Sequence, residues 1–323
     1  MSKTKTFVIK SDYRIELFSV IAFLSKLEGE WTIDKSDNPY TRLLKSKFTK
    51  FTNHKAVVEF PKMWDNGLCW DAIPFLAFHL TDSLSFTNIN NISERLQARY
   101  DGDFNEITEY VSFVQDFARI SQFKQFFTSY KQDEFIEEIN NKASEYPIIN
   151  ILENYLNLEL NSFTVIVSNL FISSFGVTLK IENRKQIYCV MSRYSLKISQ
   201  KTNGFDRILL SIIWHEFLHS IINPLSDKLF NNPLEMTDNQ VKWYCKLNES
   251  IIWAITFRLL LKERIVIEKD EEWYFKNALN NGAPKAKEMS FLLIEYENDE
   301  SKYNSFEDYY PILQQEFGNL PSE

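Results

Sequence analysis

The stretch Ile212–Pro224, IIWHEFLHSIINP, places two of the chain's four histidines and one glutamate inside an otherwise apolar run. Its neighbours Ile212, Ile213, Trp214, Phe217, Leu218, Ser220 and Ile221 carry no charge, which suits a helix buried on nearly every side. Residues four apart on a helix stand one above the other, with about 5–6 Å between Cβ atoms. His215 and His219 therefore offer one ring nitrogen each to a common position, and Glu216 falls on the adjacent flank. This is the H-E-x-x-H arrangement, in which two imidazoles bind zinc and the glutamate takes a proton from water at the metal. The competing reading is a core helix whose histidines hydrogen-bond to neighbours. That reading needs several buried partners, because each unsatisfied polar group costs about 1–3 kcal/mol.

Working outward, the helix is expected from about Phe205 to Ile222, with Asn223-Pro224 stopping it. Upstream, SFTVIVSNLF (from Ser162) is rich in β-branched and aromatic residues, and FGVTLKIE (from Phe175) and KQIYCVMSR (from Lys185) alternate as strands do around the turn-like ENRK at Glu182–Lys185. From Asp12 to about Tyr146 the pattern is helical throughout, beginning with the stripe Ile15, Leu17, Phe18, Ile21 and Leu24 after Asp12 as N-cap. Beyond Asp238 comes the long helical pattern NQVKWYCKLNESIIWAITFRLLL, then two or three more helices. The expected fold class is α+β and mainly helical. It divides into a helical lobe at 1–146, a small sheet with the motif helix at 147–225, and a second helical lobe at 226–323.

Composition agrees: 7 glycines stand against 27 Phe, 15 Tyr and 7 Trp, a balance that favours packed helices over turn-rich β architecture. A net charge of −8 without a long basic run argues against a nucleic-acid partner. Phe7-Val8-Ile9 is too short for a signal-peptide core, and no stretch approaches the roughly 20 apolar residues of a membrane span. Cys69, Cys189 and Cys245 are odd in number and widely spaced, against a disulfide framework. The expectation is a cytoplasmic protein without a transmembrane segment, the alternative being an exported one whose signal has been removed.

A catalytic zinc needs a third protein ligand and an open position. The metzincin continuation would put Gly at 222 and His at 225, where this chain has Ile222 and Leu225. His54 and His79 lie far upstream and read as surface or core residues. A carboxylate is the better candidate. In the helix after Asp238, Cys245, Ile252, Trp253, Thr256 and Leu260 form an apolar face with Glu249 in its middle, while Glu235 and Asp238 compete from nearer positions.

H-E-x-x-H followed by a second helix bearing Asn248-Glu249 resembles the gluzincin metallopeptidases, and this resemblance implies Glu249 as third zinc ligand in a zincin-like fold. DYRIELFSVIAFLS, TNHKAVV, WDAIPFLAFHL, HEFLHSIINP and NESIIWAITFRL together are similar to a bacterial domain-of-unknown-function family with predicted metallopeptidase activity. The implied protein is a zinc peptidase acting on a peptide or protein substrate, with Zn2+ on His215, His219 and Glu249 and with Glu216 as general base. The oxyanion needs a donor beside the metal, for which Tyr244, Tyr309 and Tyr310 are candidates, each with an alternative role in packing. The strand QIYCVMSR, Gln186–Arg193, would hold an extended peptide if it lay at the sheet edge. The rival function is a non-catalytic helical interaction protein with zinc absent or structural, a site that Cys189 or Cys245 would close.

Overall fold

The computed structural model describes residues 6–25, 27, 33–87, 96, 100–130, 133–160, 162–181, 184–193, 196, 204–230, 235–299 and 302–320. The protein is a mainly helical α+β structure with one four-stranded sheet. The chain folds into two compact units that are interleaved in sequence: one comprises Met1–Phe7, Lys142–Phe163 and Gly204–Glu323, the other Val8–Asn141 and Thr164–Asn203. The stretch 147–225, read from the sequence as sheet plus motif helix, is thus shared between both units.

In the second unit, Asp12 caps the helix Tyr13–Leu24 as expected, accepting from the backbone N–H groups of Arg14 and Ile15. This helix is buried almost all round and shares a core with the helices Ala72–Phe78 and Phe104–Ile120. The sheet strands are β1 Thr6–Lys10, β2 Ser162–Ser168, β3 Phe175–Ile181 and β4 Arg184–Ser192, in the order β1-β2-β4-β3. β3 and β4 form an antiparallel hairpin with Phe175 opposite Val190 and Ile181 opposite Arg184. Of the expected turn, Glu182 and Asn183 lie outside the described residues, and Arg184 and Lys185 already belong to β4. The sequence reading missed β1, whose apolar run is only Phe7-Val8-Ile9.

Two expectations fail here. β4 lies between β2 and β3, so both of its edges are paired and QIYCVMSR has no free edge to offer a peptide. Ile187, Cys189, Val190, Met191 and Ser192 are all buried, the pattern of a strand covered on both faces. The motif helix, in turn, does not stop at Asn223-Pro224 but runs Phe205–Asp227 with Pro224 inside it. Proline there removes one helical hydrogen bond, to the Ser220 carbonyl. The turn nevertheless holds because its neighbours are pinned: Ser226 Oγ bonds Asn248 Oδ1 and lies 2.6 Å from the Tyr310 hydroxyl, and Tyr244 donates to Asp227 at 2.7 Å. This helix also has a property the sequence reading did not assign to it. An 18-residue window of it has mean hydropathy 1.3, so it is long and apolar enough to cross a bilayer by length and composition, although half of that window is buried inside the protein.

In the first unit the motif helix packs along the helix Asp238–Lys262, which we call the ligand helix. Trp214, fully buried, donates its indole N–H to the Ile148 carbonyl at 3.3 Å, and Phe217 meets Phe163 at 4.2 Å between ring centroids. At the N-terminus of the motif helix, Asp206 accepts from the Tyr146 hydroxyl and faces Lys142, a favourable position for a negative charge on the helix dipole. The ligand helix starts at a capping box between Thr237 and Gln240. Further along, Arg258 grips Glu297 of the helix Ala286–Asn298 through Nε and Nη2, and Tyr155 of the helix Ile148–Leu156 donates to the same carboxylate at 2.8 Å. Both ionic side chains are largely buried. Arg258→Ala should therefore destabilise the fold by about 3 kcal/mol, the cost of leaving a buried carboxylate without its cation. Urea unfolding would read this, and a loss below roughly 0.5 kcal/mol would mean the pair braces nothing.

Candidate metal centre

His215 and His219 stand one turn apart on the motif helix with ring centroids 5.0 Å apart, and Glu249 enters between them from the ligand helix. His215 Nε2 is 3.4 Å from Glu249 Oε2, and His219 Nε2 is 3.4 Å from Glu249 Oε1. The three donor atoms lie within 4.8 Å of one another, and among the described residues no other such group of His, Cys, Asp and Glu occurs. The side chains are 16%, 21% and 27% exposed, so the cluster opens to solvent on one side while most other faces of the motif helix are buried. Glu216 is buried on the flank of His215.

The electrostatics are those of a compact ion cluster. Burial by itself would push the His215 imidazole down; the Glu249 carboxylate beside it, helped by Glu216, reverses this and leaves it above 6.5. Burial would push Glu249 up, yet His215, His219 and a hydrogen bond from Trp253 bring it down to about 2. Trp253 also sets its ring edge-on against His215, with centroids 5.5 Å apart. It is held in turn by Tyr274, whose ring lies 5.2 Å away and whose hydroxyl donates to the Trp253 carbonyl.

The other sequence candidates lie elsewhere. Asp238 is exposed at the start of the ligand helix, three turns before Glu249 and about 16 Å away along its axis. Glu235 is also exposed. Cys245, expected on the apolar face, is exposed, because burial of the ligand helix begins only at Leu247. Cys189 is buried within β4. His54 caps a short helix through Nδ1 and meets Asp116 through Nε2 at 3.1 Å; His79 bonds the Phe75 carbonyl at 2.9 Å. The phenols proposed as oxyanion donors are engaged in bracing: Tyr244 with Asp227, Tyr310 with Ser226, and Tyr309 with the Leu292 carbonyl at 2.6 Å. Burial pushes the Tyr310 hydroxyl up to about 12, against the opposing Ser226 hydrogen bond.

Two residues around the cluster were read in the sequence for other roles, Trp253 as part of an apolar face and Asn223 as part of a helix stop. Trp253 follows Glu249 by four, and Asn223, whose Oδ1 is 3.3 Å from His219 Nδ1, follows His219 by four. One turn's spacing from a candidate ligand was the available signal.

A family model described as "Domain of unknown function (DUF4932)" matches residues 7–315. The chain belongs to this family. No curated protein and no solved structure matches the chain.

The opposite displacements of the two groups define a pH window for the metal-free protein. Glu249, held at about 2 against an ordinary 4.5, adds stability that is fully present above 4.5 and lost as pH falls through about 2. His215, raised above its ordinary 6.5, adds stability that is fully present below 6.5 and lost as pH rises through its folded value. In chelator-treated protein, Glu249→Gln should cost most stability between pH 4.5 and 6.5, and less on either side. A cost that does not vary from about pH 3 to 9 in urea melts would contradict the coupling.

Proposed function

We propose that this protein is a zinc-dependent metallopeptidase of gluzincin type that hydrolyses peptide bonds. The observation that carries the reading is the 3.4 Å spacing from each imidazole Nε2 to a Glu249 oxygen. Charge-assisted N–H···O contacts settle at about 2.7–2.9 Å. A tetrahedral ion with ligands at about 2.0–2.1 Å instead keeps its donors about 3.3–3.4 Å apart. Two imidazoles and one carboxylate are also the donor set of a catalytic zinc, which keeps its fourth position for water or substrate. Zinc held by His215, His219 and Glu249 would supply a Lewis acid that polarises the scissile carbonyl and acidifies water near neutral pH.

Glu216 supplies the proton transfers. Placed one residue after His215, it flanks the cluster instead of joining it, so its carboxylate takes the proton from the attacking water and delivers it to the leaving amine nitrogen. His215 and His219 hold Glu249 in its charged form, and a hydrogen bond from Trp253 adds to them. A structural site in a non-catalytic protein would call for a fourth protein ligand, and an exposed Cys245 outside the cluster favours the open, catalytic reading.

Metal analysis of protein purified without added zinc is expected to give one zinc per chain, lost equally in His219→Ala and Glu249→Ala. Full retention by Glu249→Ala together with loss in Glu235→Ala or Asp238→Ala would overturn the ligand set. Glu216→Gln should keep zinc and fold while peptide hydrolysis drops by roughly 10²–10⁴-fold. Undiminished cleavage by that variant would refute the mechanism.

A further inference from the structure

We propose that Asn223 is the positioning residue for His219, fixing which of its ring nitrogens faces the metal; this rests on the zinc reading above. The Asn223 Oδ1 atom lies 3.3 Å from His219 Nδ1, one turn further along the motif helix. An amide oxygen only accepts, so this contact requires the proton on Nδ1 and leaves the Nε2 lone pair directed at the cluster. Were the amide turned to present its NH₂ group, Nδ1 would have to accept, the proton would move to Nε2, and the nitrogen nearest Glu249 would lose its donor pair. The bond length is at the outer limit for a hydrogen bond, which leaves room for it to tighten when His219 is drawn onto a cation.

The backbone of Asn223 is constrained from two directions. Pro224 follows it inside the helix and fixes the local chain path, and the Tyr244 hydroxyl reaches the Asn223 carbonyl from the ligand helix at 3.4 Å while donating to Asp227. With its backbone held in this way, Asn223 presents its amide from a fixed position one turn beyond His219, as a residue that orients a metal ligand must. His215 has no such local amide, since the position four residues after it is His219 itself. Its ring is instead bounded by Trp253.

The test uses the full chain loaded with zinc. In the wild-type protein, long-range ¹H–¹⁵N spectra should place the metal on His219 Nε2 and show an Nδ1–H protected from exchange. Asn223→Ala should weaken zinc affinity, read by chelator competition, about 10–100-fold and speed exchange of that proton. Asn223→Asp keeps an acceptor of the same shape and should restore both, whereas a merely structural role predicts equal losses in the two variants. Zinc on His219 Nδ1, or an Asn223→Ala protein that binds zinc as tightly as wild type, overturns the inference and leaves the peptidase reading intact. A wild-type chain that takes up no zinc sinks both. Should Asn223→Ala fail to fold, the wild-type spectrum alone decides.

Discussion

Two imidazoles and a carboxylate from different helices converge on one half-buried point, and the architecture of their unit follows from keeping them there. Removed from most of their water, these groups would each favour the neutral form. Sharing charge among the three makes the arrangement tolerable, and an ion would make it more so. The motif helix contributes two donors at a spacing fixed by helix geometry. Only the third depends on tertiary packing, so the crossing of the two helices is what must be exact to a fraction of an ångström. Trp214 against Ile148, Ser226 bridging Asn248 and Tyr310, and Arg258 in the grip of Glu297 all act on that crossing.

The part of the site carried by local spacing was legible in the sequence, and the part carried by packing was legible only in outline. His215 and His219 follow from the i, i+4 rule, and the helix around them from its uncharged neighbours. Glu249 could be placed on the right helix because a carboxylate amid apolar residues needs a partner, yet Asp238 and Glu235 could be set aside only when distance along that helix was known. The three phenols show the limit. A tyrosine in the sequence offers a hydroxyl, and its partner is chosen by whatever carbonyl, carboxylate or serine the fold brings near.

The sheet and the proline show how tertiary context overrides local signals. β-Branched and aromatic content marked β2 and alternation marked β3 and β4, but strand order depends on which neighbours close on each edge, and β1 was too short to stand out. Asn223-Pro224 reads as a helix terminator because proline forfeits one backbone bond. Inside a well-braced turn that single loss is outweighed by the contacts of Ser226, Asp227 and Asn223 itself.

The interleaving of the two compact units bears on how the protein acquires its site. The helix Ile148–Leu156 and the motif helix belong to one unit, but the chain between them passes through Thr164–Asn203, which belongs to the other. Bringing the ends of a flexible segment of roughly 40 residues together costs about 3 kcal/mol in chain entropy before any contact rewards it. Pairing of β3 with β4 inside that segment shortens the effective loop. The hairpin holds none of the cluster's residues, yet by shortening that loop it lowers the chain-entropy cost of docking Trp214 on Ile148.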